Sequence, residues 1–319
     1  MRFVRLDPAP VFLGFGAFTP DGLAHTVALA PAESMAQEGE PVSRHRFLDR
    51  YGALGCAAAS AALADAGVTP GEQLDPEWGV TIGSSLGCGT SSILHDRELR
   101  DKPAAELSPA LFVRTVSNAV IGDISMTHRL GGASETLVSG WSAGAEAIAS
   151  ACAALAEGRA RYMLAGGVEA PDARIGKMHT AFRRDANLSW LPERLSEGAV
   201  IAVIGQDRRA TGRAPLRLRA YGRGHDPAAE YSLAEALDAL RPLRFQTIVI
   251  ANSVPPGLMD RWRSEAGKIE IHSLPQQAGE LGAAGAPAAI AAACARRLES
   301  VLVIARGVEG ATVALALGC

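Results

Sequence analysis

The chain has 319 residues, 48% of them hydrophobic, and a formal net charge of -3 at pH 7. This length and composition allow one large domain, or two fused smaller ones, with a sizeable buried core. The acidic and basic residues are balanced in number and mixed along the chain. This argues against a broad positive electrostatic potential that would attract nucleic acid, and against a polybasic patch that would bind a membrane.

Targeting signals and metal-binding patterns are missing from the sequence. The first residues contain no long apolar stretch and no small-residue cleavage site, and no later segment has the length of an uncharged membrane span. We therefore expect a cytoplasmic protein. The histidines show no metal-ligand spacing, and the cysteines are scattered without CxxC spacing. We expect reduced thiols, no metal and no cofactor. The cysteines are Cys56, Cys88, Cys152, Cys294 and Cys319.

Short Val/Ile/Leu runs alternate with Ala- and Gly-rich segments in the first part of the chain. This pattern is typical of parallel strands that are buried on both faces and covered by closely packed helices. The first predicted element is a helix over residues 50–66, stopped by Gly67 and Pro70. The next predicted elements are strand 78–85, strand 134–140, helix 143–157, strand 161–167 and strand 199–204.

A polar segment over residues 205–215 is the best internal boundary. We therefore predict two unequal halves, residues 1–206 and 207–319. The second half repeats the plan with strand 214–222, helix 231–240, strand 245–253, helix 257–267, a small-residue helix and two closing strands. Two such halves fit either a pseudo-duplicated fold or two doubly wound domains, and periodicity alone does not choose between them.

A sharp strand-to-helix turn at GWSAG, from Gly140 to Gly144, presents a side chain to a cleft. Taken literally it is the G-x-S-x-G elbow of α/β-hydrolases, with Ser142 as nucleophile and the helix-start amides as oxyanion donors. Such an enzyme also needs a histidine base and an acid, and His225 or His272 would have to serve as the base. Neither follows a convincing acid-bearing strand. The alternative interpretation of Ser142 is a helix N-cap.

Four longer segments resemble the β-ketoacyl synthase family, in the family's order and at roughly its spacing. They are RHRFLDRYGALGCAAASAALADAG from Arg44, GVTIGSSLGCG from Gly79, SPALFVRTVSNAVIGDISMTHRLGG from Ser108, and the GWSAG elbow followed by MLAGGVEA. The resemblance covers most of the chain. It implies an α/β thiolase fold, five-layered α/β/α/β/α, with two pseudo-duplicated halves.

The resemblance also implies an active site whose chemical groups are replaced here. A condensing enzyme needs an elbow thiolate and two polar bases, usually histidines. Trp141 stands at the cysteine position, and Cys152 lies about three turns further along the helix. Asn252, in ANSVPPGLMD, replaces the first histidine, and Glu280, in GELGAAG, is the nearest polar equivalent of the second. Asn252 and Glu280 have a second interpretation as polar replacements in a disused pocket.

Loss of these groups on a retained scaffold resembles the chain length factors, the β subunits of type II polyketide ketosynthases. Their partner is a catalytic ketosynthase α subunit, joined in a heterodimer, and an acyl carrier protein brings the phosphopantetheine-linked chain. Trp141 would then fill or cap the acyl tunnel, or it is simply a core aromatic residue. Asn118 is a candidate interface residue, with ordinary packing as the alternative. The family's closing loop is reduced to ARGVEG, residues 305–310.

The expected function is therefore that of a non-catalytic subunit. It would shape the tunnel during decarboxylative condensation of malonyl carrier protein in polyketide, polyene or fatty-acid-like biosynthesis. The shortened second half resembles the reduced β subunits of polyene and aryl polyene systems. Two other functions remain open: a serine acyl hydrolase or transferase that uses Ser142, and an inactive homodimer that binds acyl groups.

Overall fold

The computed structural model describes residues 1–18, 48–193, 195–206, 216–225, 232–275 and 280–319. Residues 44–47 of the first family-like segment and residues 207–215 of the polar segment lie outside these ranges, as do two of the histidines, His25 and His45. Among the described helices, none has the length and apolar character needed to cross a membrane.

The first half builds a five-stranded mixed sheet in the order β4-β3-β5-β6-β2. Strand β3 is parallel to β4 and β5, whereas β6 is antiparallel to β5 and β2. The strands of the first half are β1 Arg2–Arg5, β2 Val11–Phe18, β3 Trp78–Gly83, β4 Ser134–Leu137, β5 Tyr162–Glu169 and β6 Gly198–Gly205.

The second half builds a sheet of the same design, in the order β7-β11-β10-β8-β9. Strand β8 is parallel to β9 and β10, and β11 is antiparallel to β10 and β7. Strand β1 also pairs with β7, and the two sheets meet where Val11 pairs with Arg217. The strands are β7 Arg217–His225, β8 Thr247–Ile250, β9 Glu270–Ser273, β10 Ser300–Arg306 and β11 Ala311–Gly318.

Helices cover both sheets and fill the space between them. Short 3-10 turns lie at Ala104–Glu106, Gly140–Ser142 and Gly282–Ala284. The helices are α1 Arg50–Ala66, α2 Gly89–Asp101, α3 Pro109–Phe112, α4 Ala119–His128, α5 Ala143–Ala156, α6 Ala173–Asp185, α7 Leu233–Ala239, α8 Pro256–Ala266 and α9 Gly285–Ala295.

Three separate hydrophobic cores define five layers. The middle core joins α5 and α9 to the facing sides of both sheets. One outer core lies between the first sheet and helices α1 and α4, and the other lies between the second sheet and helices α7 and α8. Helix α9 is apolar on all sides, as expected of a helix buried between two sheets. The predicted five-layered thiolase fold is therefore confirmed, and the two halves share one strand order. The boundary at Gln206–Asp207 stays a proposal.

The local signals placed several elements well. Helix α1 spans the predicted residues; Asp49 caps its start by accepting a hydrogen bond from Gly52 N, and Gly67 ends it at φ 61°. Helix α2, which begins at Gly89, was not predicted from the sequence. This exposed helix has little apolar periodicity and gains instead from ion pairs four residues apart, such as Asp96–Arg100 and Glu98–Lys102.

Candidate functional site

The elbow is a place of very close backbone approach. After β4 a 3-10 turn at Gly140–Ser142 leads into α5, and Gly140 has φ 68°, in the left-handed region that favours glycine. A Cβ on Gly144 would lie 1.8 Å from Ala283 O, in the 3-10 turn of the second half. The elbow is therefore packed directly against the segment that follows Glu280.

Trp141 lies on the wall of a cavity of about 320 Å³ beside the elbow. The cavity is bounded by the elbow, by helix α6 and by the turn between β10 and β11, and its walls are mostly apolar, with Leu86, Ile175, Phe182 and Leu191 among them. The indole is 7% exposed. Trp141 was expected either to be a core aromatic residue or to limit a tunnel. Its position agrees with both expectations, because the side chain is buried and also forms part of the cavity wall.

Asn252 and Glu280 are both buried and are hydrogen-bonded to each other. Asn252 Nδ2 donates to Glu280 Oε1 at 2.9 Å and to Gly282 O at 2.9 Å. Glu280 also accepts from Ser253 N at 2.7 Å and from Gly282 N at 3.0 Å. Burial raises the pKa of Glu280 despite these donors. Since both amide hydrogens of Asn252 are used, this side chain has none left for the carbonyl oxygen of a thioester.

A second buried carboxylate, Glu169, joins the two halves of the site. It accepts from Ser85 N and Ser85 Oγ at 2.5 Å, from Leu86 N at 3.3 Å, from Ser84 Oγ at 3.4 Å and from Ala283 N at 3.2 Å. Burial raises the pKa of Glu169. The sequence motifs indicate no role for Glu169, although an acidic residue at the end of a fully buried strand is itself a signal of a satisfied polar site.

Ser142 is fully buried at the N-cap position of α5. Its hydroxyl makes no capping bond to a backbone amide; its possible acceptors are Ser139 O at 3.1 Å and Glu146 Oε1 at 3.2 Å. Among the described residues no histidine is bonded to it, and His272 is on β9, the outer strand of the second sheet. The geometry therefore does not assemble the serine, histidine and acid of a hydrolase.

Asn118 is exposed and occupies the N-cap position of α4 without making a side-chain cap. Helix α4 packs against β4, which is the outer strand of the first sheet. Large exposed apolar side chains belong to this same region: Phe112, Val113, Val116, Met126 and Val138. The candidate interface residue therefore lies beside an apolar, incompletely covered surface.

The closest thiol in sequence to the elbow, Cys152, is expected to be unreactive. It has no exposure in the middle core, and burial raises its pKa. Burial also raises the pKa of Cys56, to about 11. Cys319 is exposed. We expect iodoacetamide to alkylate Cys319 first in the folded chain and to reach Cys152 only after unfolding, as measured by peptide mass mapping. Cys319→Ser should remove the fast reaction, and native labelling of Cys152 would contradict the buried position.

Comparison with known proteins places these residues in a family context. The model of the β-ketoacyl synthase N-terminal domain matches residues 30–186. The 3-oxoacyl-[acyl-carrier-protein] synthase 2 of Rhizobium meliloti is 30% identical over 292 residues, covering 79% of this chain and 69% of that protein. The enzyme of the same name from Vibrio cholerae is 28% identical over 182 residues, covering 53% and 44%.

Solved structures share the fold over nearly the whole chain. The ishigamide ketosynthase/chain length factor superposes with a TM-score of 0.72 at 19% identity, covering 97% of this chain and 99% of that one. The AntDE:AntF complex, a type II acyl carrier protein with its ketosynthase bound to the hexaketide, gives 0.76 at 16%, covering 99% of each. A β-ketoacyl synthase from Burkholderia phymatum gives 0.71 at 18%, covering 97% and 99%.

Proposed function

Since this chain belongs to the β-ketoacyl synthase family, we propose that it is a non-catalytic subunit of the chain length factor type. It pairs with an active ketosynthase and shapes the tunnel that receives the growing acyl chain during decarboxylative condensation of malonyl carrier protein. The observation that carries this proposal is Trp141, an indole in the place of the family's nucleophile and on the wall of an apolar cavity. The cytoplasmic location expected from the sequence belongs to the proposal as well.

The contacts around the elbow support the loss of covalent chemistry. An indole cannot form a thioester, and Cys152 lies in the core. Asn252 Nδ2 donates its two hydrogens to Glu280 Oε1 and Gly282 O. Glu280 also accepts hydrogen bonds from Ser253 N and Gly282 N. Asn252 therefore offers no further hydrogen to a thioester oxygen, which a condensing site must stabilise. The two curated relatives are named as synthases, so the inactivity of this chain is the part that needs a direct test.

The outer strand β4 and the apolar residues near Asn118 support a protein partner at this edge. An outer strand presents unpaired backbone groups, and an exposed apolar surface beside it favours burial against another chain. We propose that the catalytic ketosynthase covers this surface, and that the acyl carrier protein delivers its chain to the pair. Two of the structural neighbours contain these components, a ketosynthase/chain length factor and a ketosynthase with its carrier protein.

The test is co-expression with a catalytic type II ketosynthase from the same organism. Size-exclusion chromatography with mass determination and a malonyl carrier-protein elongation assay follow. We expect a 1:1 complex whose activity requires the partner's nucleophilic cysteine and survives Ser142→Ala in this chain. Turnover by this chain alone that Ser142→Ala abolishes would instead show a serine enzyme. A stable homodimer that binds acyl groups but does not bind the ketosynthase would instead show an inactive acyl-binding protein.

Trp141→Ala is expected to change the length of the product made by the pair. Removing the indole enlarges the cavity, so the chain should grow by at least one more extender unit before release, and Trp141→Phe should give a smaller shift. Mass spectrometry of the carrier-bound products measures both. An unchanged product distribution from an intact heterodimer would contradict the proposed place of Trp141 in the tunnel.

A further inference from the structure

Glu309, in the turn between β10 and β11, lies directly against the elbow. A Cβ on Gly140 would be 2.8 Å from Glu309 Oε1, and a Cβ on Gly307 would be 2.1 Å from the same oxygen. Glycine at both positions therefore leaves room for the carboxylate between the elbow and the end of β10. Glu309 is exposed, and it borders the cavity that Trp141 lines. It thus places a carboxylate at the rim of an otherwise apolar cavity.

The other polar side chains of the wall are those of Ser85, Trp141 and His179. The hydroxyl of Ser85 donates to Glu169 Oε1 at 2.5 Å, which leaves its oxygen as an acceptor. His179 Nε2 lies 2.8 Å from Pro192 O, and a carbonyl oxygen only accepts, so this ring nitrogen carries a hydrogen. Among the described residues that line the cavity, Glu309 is the only one with a carboxylate.

The apolar walls and the carboxylate at the rim together determine which kind of chain the cavity can bind. The apolar walls hold methylene groups, so a polar end stays at the rim, where it meets Glu309. A negatively charged end would be repelled there by the carboxylate. An uncharged end, or one that carries O–H or N–H donors, would find acceptors. A chain that is tethered as a thioester, or that enters by its apolar end, brings no negative charge to this position.

We propose that Glu309 sets the charge selectivity of the cavity, admitting chains whose rim-facing end is uncharged or cationic and rejecting free carboxylates. This inference rests on the proposed function, in which the cavity receives an acyl chain. It adds the class of ligand: a neutral, tethered chain rather than a free fatty acid. It also assigns a role in specificity to Glu309, in the segment where the family's closing loop is reduced.

The test compares three probes of equal chain length, 1-decanol, decylamine and decanoate, below their micelle concentrations. Calorimetry at low ionic strength, where exposed charges are least screened, measures their affinity for the purified chain in its complex. We expect decanoate to bind about tenfold more weakly than decanol, and decylamine at least as tightly as decanol. Glu309→Gln, which keeps the size of the side chain and removes its charge, should bring decanoate within about twofold of decanol.

The outcomes separate this proposal from the function on which it rests. If none of the probes binds to the folded protein, the cavity does not take chains, and the proposed function fails. If decanol binds but decanoate binds equally well, or if Glu309→Gln leaves the preference unchanged, Glu309 does not set the selectivity. Trp141→Ala locates the probe: an unchanged decanol affinity would place it elsewhere and overturn the assignment to Glu309.

Discussion

Gly144→Ala is expected to destabilise the protein severely or to prevent its folding. The added Cβ would stand 1.8 Å from Ala283 O and 3.1 Å from Pro287 Cδ. The first of these contacts is with backbone, and both segments are held in the middle layer between the sheets, so no side-chain rotation relieves it. We expect a loss of about 3 kcal/mol or more in the free energy of unfolding, at the upper end of overpacking effects. Urea unfolding followed by circular dichroism measures it.

Two other helical glycines provide matched controls for this substitution. Gly122 in α4 and Gly176 in α6 have no atom within 4 Å of an added Cβ. Gly122→Ala and Gly176→Ala should be neutral or stabilising, by roughly 0.5–1 kcal/mol, because alanine restricts the unfolded chain and favours the helix. If Gly144→Ala unfolds at the same urea concentration as these controls, the close approach of the elbow to the second half does not exist.

Glu169→Ala is expected to give the second large loss of stability, roughly 3–5 kcal/mol. The carboxylate accepts from Ser84, Ser85, Leu86 and Ala283, and alanine would leave these donors without an acceptor in a buried site. Because Ala283 belongs to the second half, the substitution also removes a hydrogen bond between the halves. Thermal and urea unfolding of the variant, compared with the wild type, measure the effect.

The control is the same substitution at an exposed carboxylate, Glu157, which pairs with Arg159 on the surface. Glu157→Ala should cost less than about 1 kcal/mol.

The pH dependence of the free energy of unfolding provides a further test of Glu169. Burial raises the pKa of Glu169 in the folded protein, so its contribution to stability is complete below about pH 4.3 and falls as the pH rises through the folded-state value. The variant should lack this decrease, and an identical pH profile would contradict the raised pKa.

Local sequence patterns were sufficient for much of this protein. Ala- and Gly-rich helices alternating with apolar strands indicated an α/β fold, and four motifs in family order indicated the thiolase architecture. The assignment of Trp141, Asn252 and Glu280 to replaced active-site positions stays a prediction. Gly67 placed the end of helix α1, because a C-terminal cap acts within one turn. Helix α6, in which Ile175 is the one buried side chain, was not predicted.

The geometry of the site was decided only by tertiary structure. Asn252 and Glu280 are 28 residues apart, Glu169 and Ala283 are 114 apart, and Glu309 meets Gly140 across the two halves. The motifs named Asn252 and Glu280 separately, but they did not reveal that Asn252 donates one amide hydrogen to Glu280 and the other to Gly282 O. Periodicity and capping describe neighbours along the chain, whereas these contacts exist because two sheets pack on one shared layer of helices. That packing turns the elbow, a buried carboxylate and the rim of a cavity into a single site.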